Sequence, residues 1–295
     1  MNPCLPWFQT QFDQLARQRQ SGQLHHGLLL QASPGSGQGD FARSLAALLL
    51  CQQSGDRPCG QCQSCKLYQA GSHPDFIELE SDKAIGVDLI REGIGKLTGT
   101  SQLSGAKVLI LHHADAMTES ASNALLKTLE EPTANTYLIL TSTSLEGLLP
   151  TIVSRCLKVR LPTPSRAQTE NWLNGQGLMP ESEILSSLYG SAPMTLKHLV
   201  EQGEASRLDD FIAQLERVLN GQQSPLSLAN DWQDKASDTV AWLEHWARQQ
   251  GRLDPELHQR CVAARRQLMS AGANKSLILY HLLGVLISQS QTTGA

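Results

Sequence analysis

The sequence predicts a parallel α/β sheet covered by helices on both faces, followed by an all-helical C-terminal half. Three observations carry that prediction. Short apolar runs alternate with segments of helical periodicity up to about residue 161, the texture of strands buried on both sides. A glycine-rich turn, "ASPGSGQG" at 32–39, separates the first apolar run from an apolar helix. Beyond residue 162 the apolar positions recur only at helical spacing.

The elements follow in order. "WFQTQFDQLARQRQ" (7–20) places Phe8, Phe12, Leu15 and Arg19 at helical spacing, and Gly22 ends that helix. "HHGLLLQA" (25–32) reads as a buried strand and "FARSLAALLLC" (41–51) as the helix after the turn. "DFIELES" (75–81) alternates as a strand does. "VDLIREGIGKLTG" (87–99) sets Val87, Ile90, Ile94 and Leu97 on one helical face. "AKVLILHHA" (106–114) is a second buried strand, and "ESASNALLKTLEE" (119–131) is a helix closed by Pro132. "TYLILTSTS" (136–144) and "LKVRL" (157–161) complete the strands. "PTPSRAQ" (162–168) has two prolines and no apolar periodicity, and marks a domain boundary. Short helices follow to about residue 205. Longer ones with apolar stripes come next: "RLDDFIAQLERVLNG", "ASDTVAWLEHWARQQG", "PELHQRCVAARRQLMSAG" and "NKSLILYHLLGVLISQ". The last six residues read as a frayed end.

The 295 residues suffice for one large domain or two to three ordinary ones. A formal net charge of −4 gives no global basic footprint, so charge alone does not predict strong nonspecific nucleic-acid binding. A local patch would be invisible in that sum. The apolar runs fall well short of the roughly 20 residues of a spanning helix. The first residues lack a basic flank, apolar run and cleavage site, so no signal peptide is expected and a cytosolic location is.

Four of the seven cysteines cluster as C-x7-C-x2-C-x2-C: Cys51, Cys59, Cys62 and Cys65. In a reducing compartment such a cluster reads as metal ligands rather than disulfides. Four thiolates suit a closed, structural tetrahedral zinc site, with Gly60 easing the turn between them. An iron–sulfur cluster and a set of unrelated buried thiols are the alternatives. His73 is near enough in sequence to replace one ligand. Cys4, Cys156 and Cys261 are scattered, and the latter two read as small core residues.

The glycine turn has the shape of a phosphate loop, G-x-x-x-x-G-K-[ST], without its chemistry. Gly35 and Gly37 are present. Ala32 stands at the first glycine, Gln38 at the lysine and Gly39 at the hydroxyl residue. The lysine would reach the outer phosphates and the hydroxyl would hold Mg²⁺. The next apolar strand should end in a carboxylate for that metal, yet "KVLILHHADAM" ends in His112 and His113, with Asp115 two residues on. Two separate elements therefore lack the same chemistry, and no ATP hydrolysis by this chain is expected. Backbone N–H groups at the helix start could still meet an anion, but a folded turn is the preferred reading. His112 and His113, adjacent on a strand, face opposite ways and read as filler rather than a ligand pair.

"SNALLKTLEEP" (122–132) and "SRC" (154–156), with the cysteine cluster inserted after the glycine loop, resemble the bacterial clamp-loader ATPases. These are the AAA+ subunits of the DNA polymerase III holoenzyme. The resemblance covers about residues 5–205 and extends loosely over the C-terminal helices. Within the family, the missing lysine, hydroxyl and acid look like a subunit without ATPase rather than the active tau/gamma type. The resemblance implies a RecA-like AAA+ P-loop domain at 1–163 with a zinc module inserted at 51–65. A helical lid at 164–207 and an all-helical collar domain for oligomerisation at 208–295 would follow. It implies that Arg155, the arginine of "SRC", acts in trans as an arginine finger on a neighbour's ATP. A guanidinium suits that task because it offers a fixed fork of donors to a developing phosphoryl charge. The partners implied are tau/gamma and delta subunits and, through the complex, the sliding clamp and primed DNA, with no membrane. Structural Zn²⁺ is the implied cofactor, with no ATP of the chain's own.

Further positions follow from the same resemblance. "TST" (141–143) lies where a sensor would, and with no metal ligands nearby Ser142 and Thr143 read as structural. "GSAPMTL" (190–196) lacks the lid arginine of active members. Lys127, Glu130 and Glu131 would line a subunit interface. Partner contact would explain two glutamates at a helix C-terminus, where they oppose the dipole. Trp232, Trp242, Trp246 and the stripe at 277–287 are core or collar contacts, and Arg265, Arg266 and Lys275 form a modest basic patch. Two other functions stay open: an ATP-hydrolysing subunit of tau/gamma type, which Gln38, Gly39, His112 and His113 argue against, and a zinc-containing DNA-binding module, which needs a local basic patch.

Overall fold

Five strands pair in parallel in the order β2-β3-β4-β1-β5: β1 (Gly27–Gln31), β2 (Phe76–Leu79), β3 (Lys107–Leu111), β4 (Thr136–Ser142) and β5 (Leu157–Arg160). The structure is a computed structural model describing residues 4–81, 84–179, 182–268, 270 and 272–292. Leu28, Leu29 and Leu30 of β1 and Val108 to Leu111 of β3 are buried throughout, because helices cover both sheet faces and leave no phase of the strand in water. Leu140 of β4 pairs with Leu29 on one side and Leu111 on the other. The edge strands alternate instead. Lys158 and Arg160 of β5 point outward, a charged edge of the kind that deters strand addition. The sheet is parallel throughout and clad in helices, as the sequence predicts, and a large helical portion follows it.

The helices around the sheet are α1 (Gln9–Gln20), α2 (Gln38–Leu50), α3 (Gln63–Gln69), α4 (Val87–Leu97), α5 (Glu119–Glu130) and α6 (Pro150–Ser154). Phe8 and Phe12 pack edge-on against Phe41 of α2. Arg19, on the apolar spacing of α1, is a tether: its guanidinium donates to the carbonyls of Cys51 (2.8 Å) and Gly55 (3.3 Å). Thr118 caps α5 through Ala121 N–H. The one-turn helix α6 and the short α3 carry too little periodicity to be read from sequence. Helix α2 begins at Gln38, three residues before the apolar stretch that signals it.

The chain forms two compact units, Met1–Gln168 with Ser191–Met194, and Thr169–Gly190 with Thr195–Ala295. The second unit contains α8 (Glu183–Tyr189), α10 (Glu204–Leu219), α11 (Pro225–Asp231), α12 (Ala236–Gln249), α13 (Pro255–Leu268) and α14 (Lys275–Thr292). Helices α7 (Arg166–Asn174) and α9 (Pro193–Glu201) each begin in the first unit. Trp242 and Trp246 are buried, with Trp232 packed on the same core beside Phe211. The buried carboxylate of Glu244 is met by Arg248, His258 (2.8 Å) and Arg265. Arg265 is therefore engaged inside its unit rather than standing as a free cation beside Arg266 and Lys275. Helix α14 runs on to Thr292, beyond the start of the expected frayed end, and residues 293–295 of that end lie outside the described residues. Among the described residues no helix is long and apolar enough to cross a membrane.

Candidate functional site

The glycine loop joins β1 to α2, and the chain's own side chains fill it. Gly35 and Gly37 hold φ of +71° and +95°, the left-handed region that favours glycine. A Cβ on Gly37 would stand 2.3 Å from Leu5 Cδ1 and 3.3 Å from Met194 Cε. Trp7 Nε1 donates to Ser36 O (3.0 Å), and Met194 N–H donates to Gly35 O (2.9 Å). Gln38 opens α2, and its amide oxygen is buried without a hydrogen-bond partner.

Gly39 faces His112: a Cβ there would lie 3.3 Å from His112 Cε1. His112 is buried, and its Nε2 lies 2.6 Å from Glu78 Oε1, which also accepts from Arg43 Nε at 2.7 Å. The hydrogen bond to His112, with Arg43 beside it, holds the Glu78 carboxyl below the usual carboxylate range. Charges round the loop are thus compensated within the chain. Strand β3 stops at Leu111, so both histidines lie in the turn beyond it. His112 turns inward, while His113 takes φ +52° and is exposed. Asp115 is committed elsewhere. Its Oδ2 accepts from Thr143 Oγ1 (2.7 Å), Thr143 N–H (3.2 Å) and Ser144 N–H (3.3 Å), while Ser142 Oγ donates to Ser144 O (2.6 Å).

The four clustered cysteines converge. Their Sγ atoms all lie within 4.8 Å of one another, and Cys59 and Cys65 are 3.9 Å apart. A tetrahedron with Zn–S bonds near 2.3 Å has edges of about 3.8 Å, so the set fits one ion, and an all-sulfur donor set selects zinc or iron–sulfur chemistry. Cys51 ends α2 and Cys62 caps α3. Amide donors support the sulfurs: Cys59 N–H to Cys51 Sγ (3.4 Å), Cys62 N–H to Cys59 Sγ (3.3 Å) and Cys65 N–H to Cys62 Sγ (3.4 Å). The backbone donors of Gln61 and Cys62 bring the exposed Cys59 thiol down to about 6, while burial pushes Cys65 up. His73 is not among the converging ligands. Its Nε2 bonds Ser64 Oγ (2.6 Å), which donates to Leu50 O (2.6 Å). Cys156 and Cys261 are buried core residues.

Arg155 sits at the C-cap of α6, on the turn into β5. Its side chain is 37% exposed, with Nη2 2.6 Å from Glu130 Oε1 and Nη1 donating to Thr151 O (3.0 Å). Glu130, the last residue of α5, therefore meets a cation of its own chain. That supplies an intrachain reason for an acid at a helix C-terminus, where subunit contact was the expectation. The close approach needs Gly27 of β1, whose Cβ would meet Leu129 Cδ2 at 3.0 Å and Arg155 O at 3.2 Å. Glu78, Arg43, Leu5 and Met194 escaped sequence reasoning because strand order and loop packing, not spacing, bring them to the glycine loop. The one available signal was Glu78, on the outward phase of "DFIELES".

A family model described as DNA polymerase III, delta subunit, matches residues 8–165. The delta' subunit of DNA polymerase III from Haemophilus influenzae is 37% identical over 77% of this chain and 71% of its own length. That from Yersinia pestis is 37% identical over 81% of this chain and 73% of its own. A solved structure of a DNA polymerase III gamma subunit-related protein from Thermotoga maritima shares the fold, with a TM-score of 0.60 and 19% identity over 95% of this chain and 99% of that one. With its sheet, its self-filled loop and relatives at this identity, the chain belongs to the DNA polymerase III delta' subunit family of clamp-loader proteins.

Proposed function

We propose that this chain is a non-hydrolysing clamp-loader subunit that assembles with tau/gamma and delta subunits and supplies Arg155 in trans to a neighbouring ATP site. In that role it helps to load the sliding clamp onto primed DNA. The observation that carries this reading is a half-exposed guanidinium on a chain whose own phosphate loop is packed with its own side chains. A finger needs no nucleotide in its own subunit; it needs donors aimed outward at the charge that develops on a transferring phosphoryl group. Gln38 and Gly39 provide neither the ammonium nor the hydroxyl for such chemistry at home. Residues 1–163, 164–207 and 208–295 serve as AAA+ domain, lid and collar in this proposal.

Cys51, Cys59, Cys62 and Cys65 would hold Zn²⁺, which supplies a closed structural clip for the excursion between α2 and α3. The ion takes no part in phosphoryl transfer.

The test is Arg155→Ala in a complex rebuilt with tau/gamma and delta subunits, the clamp and primed DNA. Assembly should be unchanged, and in a single-turnover experiment one phase of ATP hydrolysis should slow by about a hundredfold or more. Hydrolysis at the full rate in every phase refutes the assignment.

A further inference from the structure

We infer that Glu130 is the positioning residue of the arginine finger, holding the Arg155 guanidinium by one edge so that its remaining donors face outward. This inference rests on the assignment of Arg155 made above. Glu130 Oε1 lies 2.6 Å from Nη2, and Thr151 O takes a hydrogen from Nη1 at 3.0 Å. Both partners belong to short, well-anchored pieces of backbone. Glu130 closes α5, whose carbonyl at Leu129 is bonded by His26 Nε2 (2.8 Å), and Gly27 lets the α5 end and the Arg155 backbone close on the same strand. The backbone that carries Glu130 is thus tied to the sheet, and from it the carboxylate meets one edge of the guanidinium.

The donor inventory separates positioning from simple neutralisation. A guanidinium carries a planar set of N–H donors on three nitrogens. One from Nη2 and one from Nη1 are used inside the chain. Among the described residues, Nε and the second hydrogens of Nη1 and Nη2 have no partner, so a phosphate can be met without breaking the pair. The exposure of both side chains, 37% for Arg155 and 47% for Glu130, makes the pair a weak contributor to stability. An ion pair that adds little to folding yet fixes a long, flexible side chain matters through geometry. Reaction rates respond steeply to small misplacements of such a group.

The experiment compares Glu130→Ala, Glu130→Gln and Glu130→Asp, each in the rebuilt complex and in the Arg155→Ala background. Glu130→Ala should leave melting and assembly unchanged, keep the KM for ATP within about twofold and slow the affected single-turnover phase about tenfold. Glu130→Asp should recover part of the rate, Glu130→Gln should fall between, and none should slow the Arg155→Ala complex further. If Arg155→Ala slows hydrolysis while Glu130→Ala does not, positioning is wrong and the finger stands. If Glu130→Ala accelerates hydrolysis, the carboxylate competes with phosphate and the inference is overturned. An additional slowing in the Arg155→Ala background would show that Glu130 acts by another route. A silent Arg155→Ala removes the finger and this inference with it.

Discussion

Replacing Gly37 by Ala tests whether the glycine loop is a packing element of the chain. Two effects act together. At φ +95° a side chain costs about 1–2 kcal/mol through its contact with the following carbonyl. The new Cβ would also stand 2.3 Å from Leu5 Cδ1, so Leu5, now 8% exposed, has to leave its seat. Its complete expulsion would forfeit about 1.5–3 kcal/mol of burial, and partial relief by rotation brings that to roughly half. Gly37→Ala should therefore destabilise the first unit by about 2–4 kcal/mol. Hydrogen exchange of the β1 and α2 amides in the full chain reads that unit by itself. A double-mutant cycle separates the contributions: with Leu5→Ala already present, Gly37→Ala should cost only the backbone part, about 1–2 kcal/mol. Equal costs in both backgrounds would mean that Leu5 does not occupy the loop. A loss below about 0.5 kcal/mol would contradict the left-handed backbone as well.

Two further perturbations address other parts of the first unit. Cys62→Ser removes one sulfur of the four; metal analysis after dialysis should show loss of zinc, with a lower melting temperature. Metal content unchanged from the parent chain would rule out Cys62 as a ligand. Asp75→Asn concerns a buried carboxylate. Burial pushes Asp75 up, but the donors Gln102 N–H (2.9 Å), Ser101 Oγ (2.8 Å) and Leu103 N–H (3.1 Å) outweigh it and hold the group below its ordinary value of 3.8. The folded value is the depressed one, so the stabilisation is fully present above pH 3.8 and is lost as pH falls through the folded value. Asn turns an amide donor toward those donors and should cost about 1–3 kcal/mol near neutral pH. In urea melts the gap between the two proteins should narrow on acidification. A gap that stays constant down to pH 3 would show that the carboxylate charge is not what those donors stabilise.

Much was legible in the residues because it depends on local repetition. Continuous apolar runs in β1 and β3 report burial on both faces, four cysteines at short spacing report a common centre, and "SRC" with "SNALLKTLEEP" carries the family. Residues far apart in the chain could not be read together. The opposition of His112 and Glu78 requires β2 to lie beside β3, which Leu79 paired with Leu111 brings about. The pairing of Glu130 with Arg155 requires the α5 end and the α6 turn to converge over Gly27. Covalent order determined that Gln38 and Gly39 stand in the glycine loop and that Arg155 stands in "SRC". Only the tertiary structure decided what fills the loop and what holds that arginine, because such contacts are set by strand order and close packing across long separations, to which hydrophobic periodicity is blind.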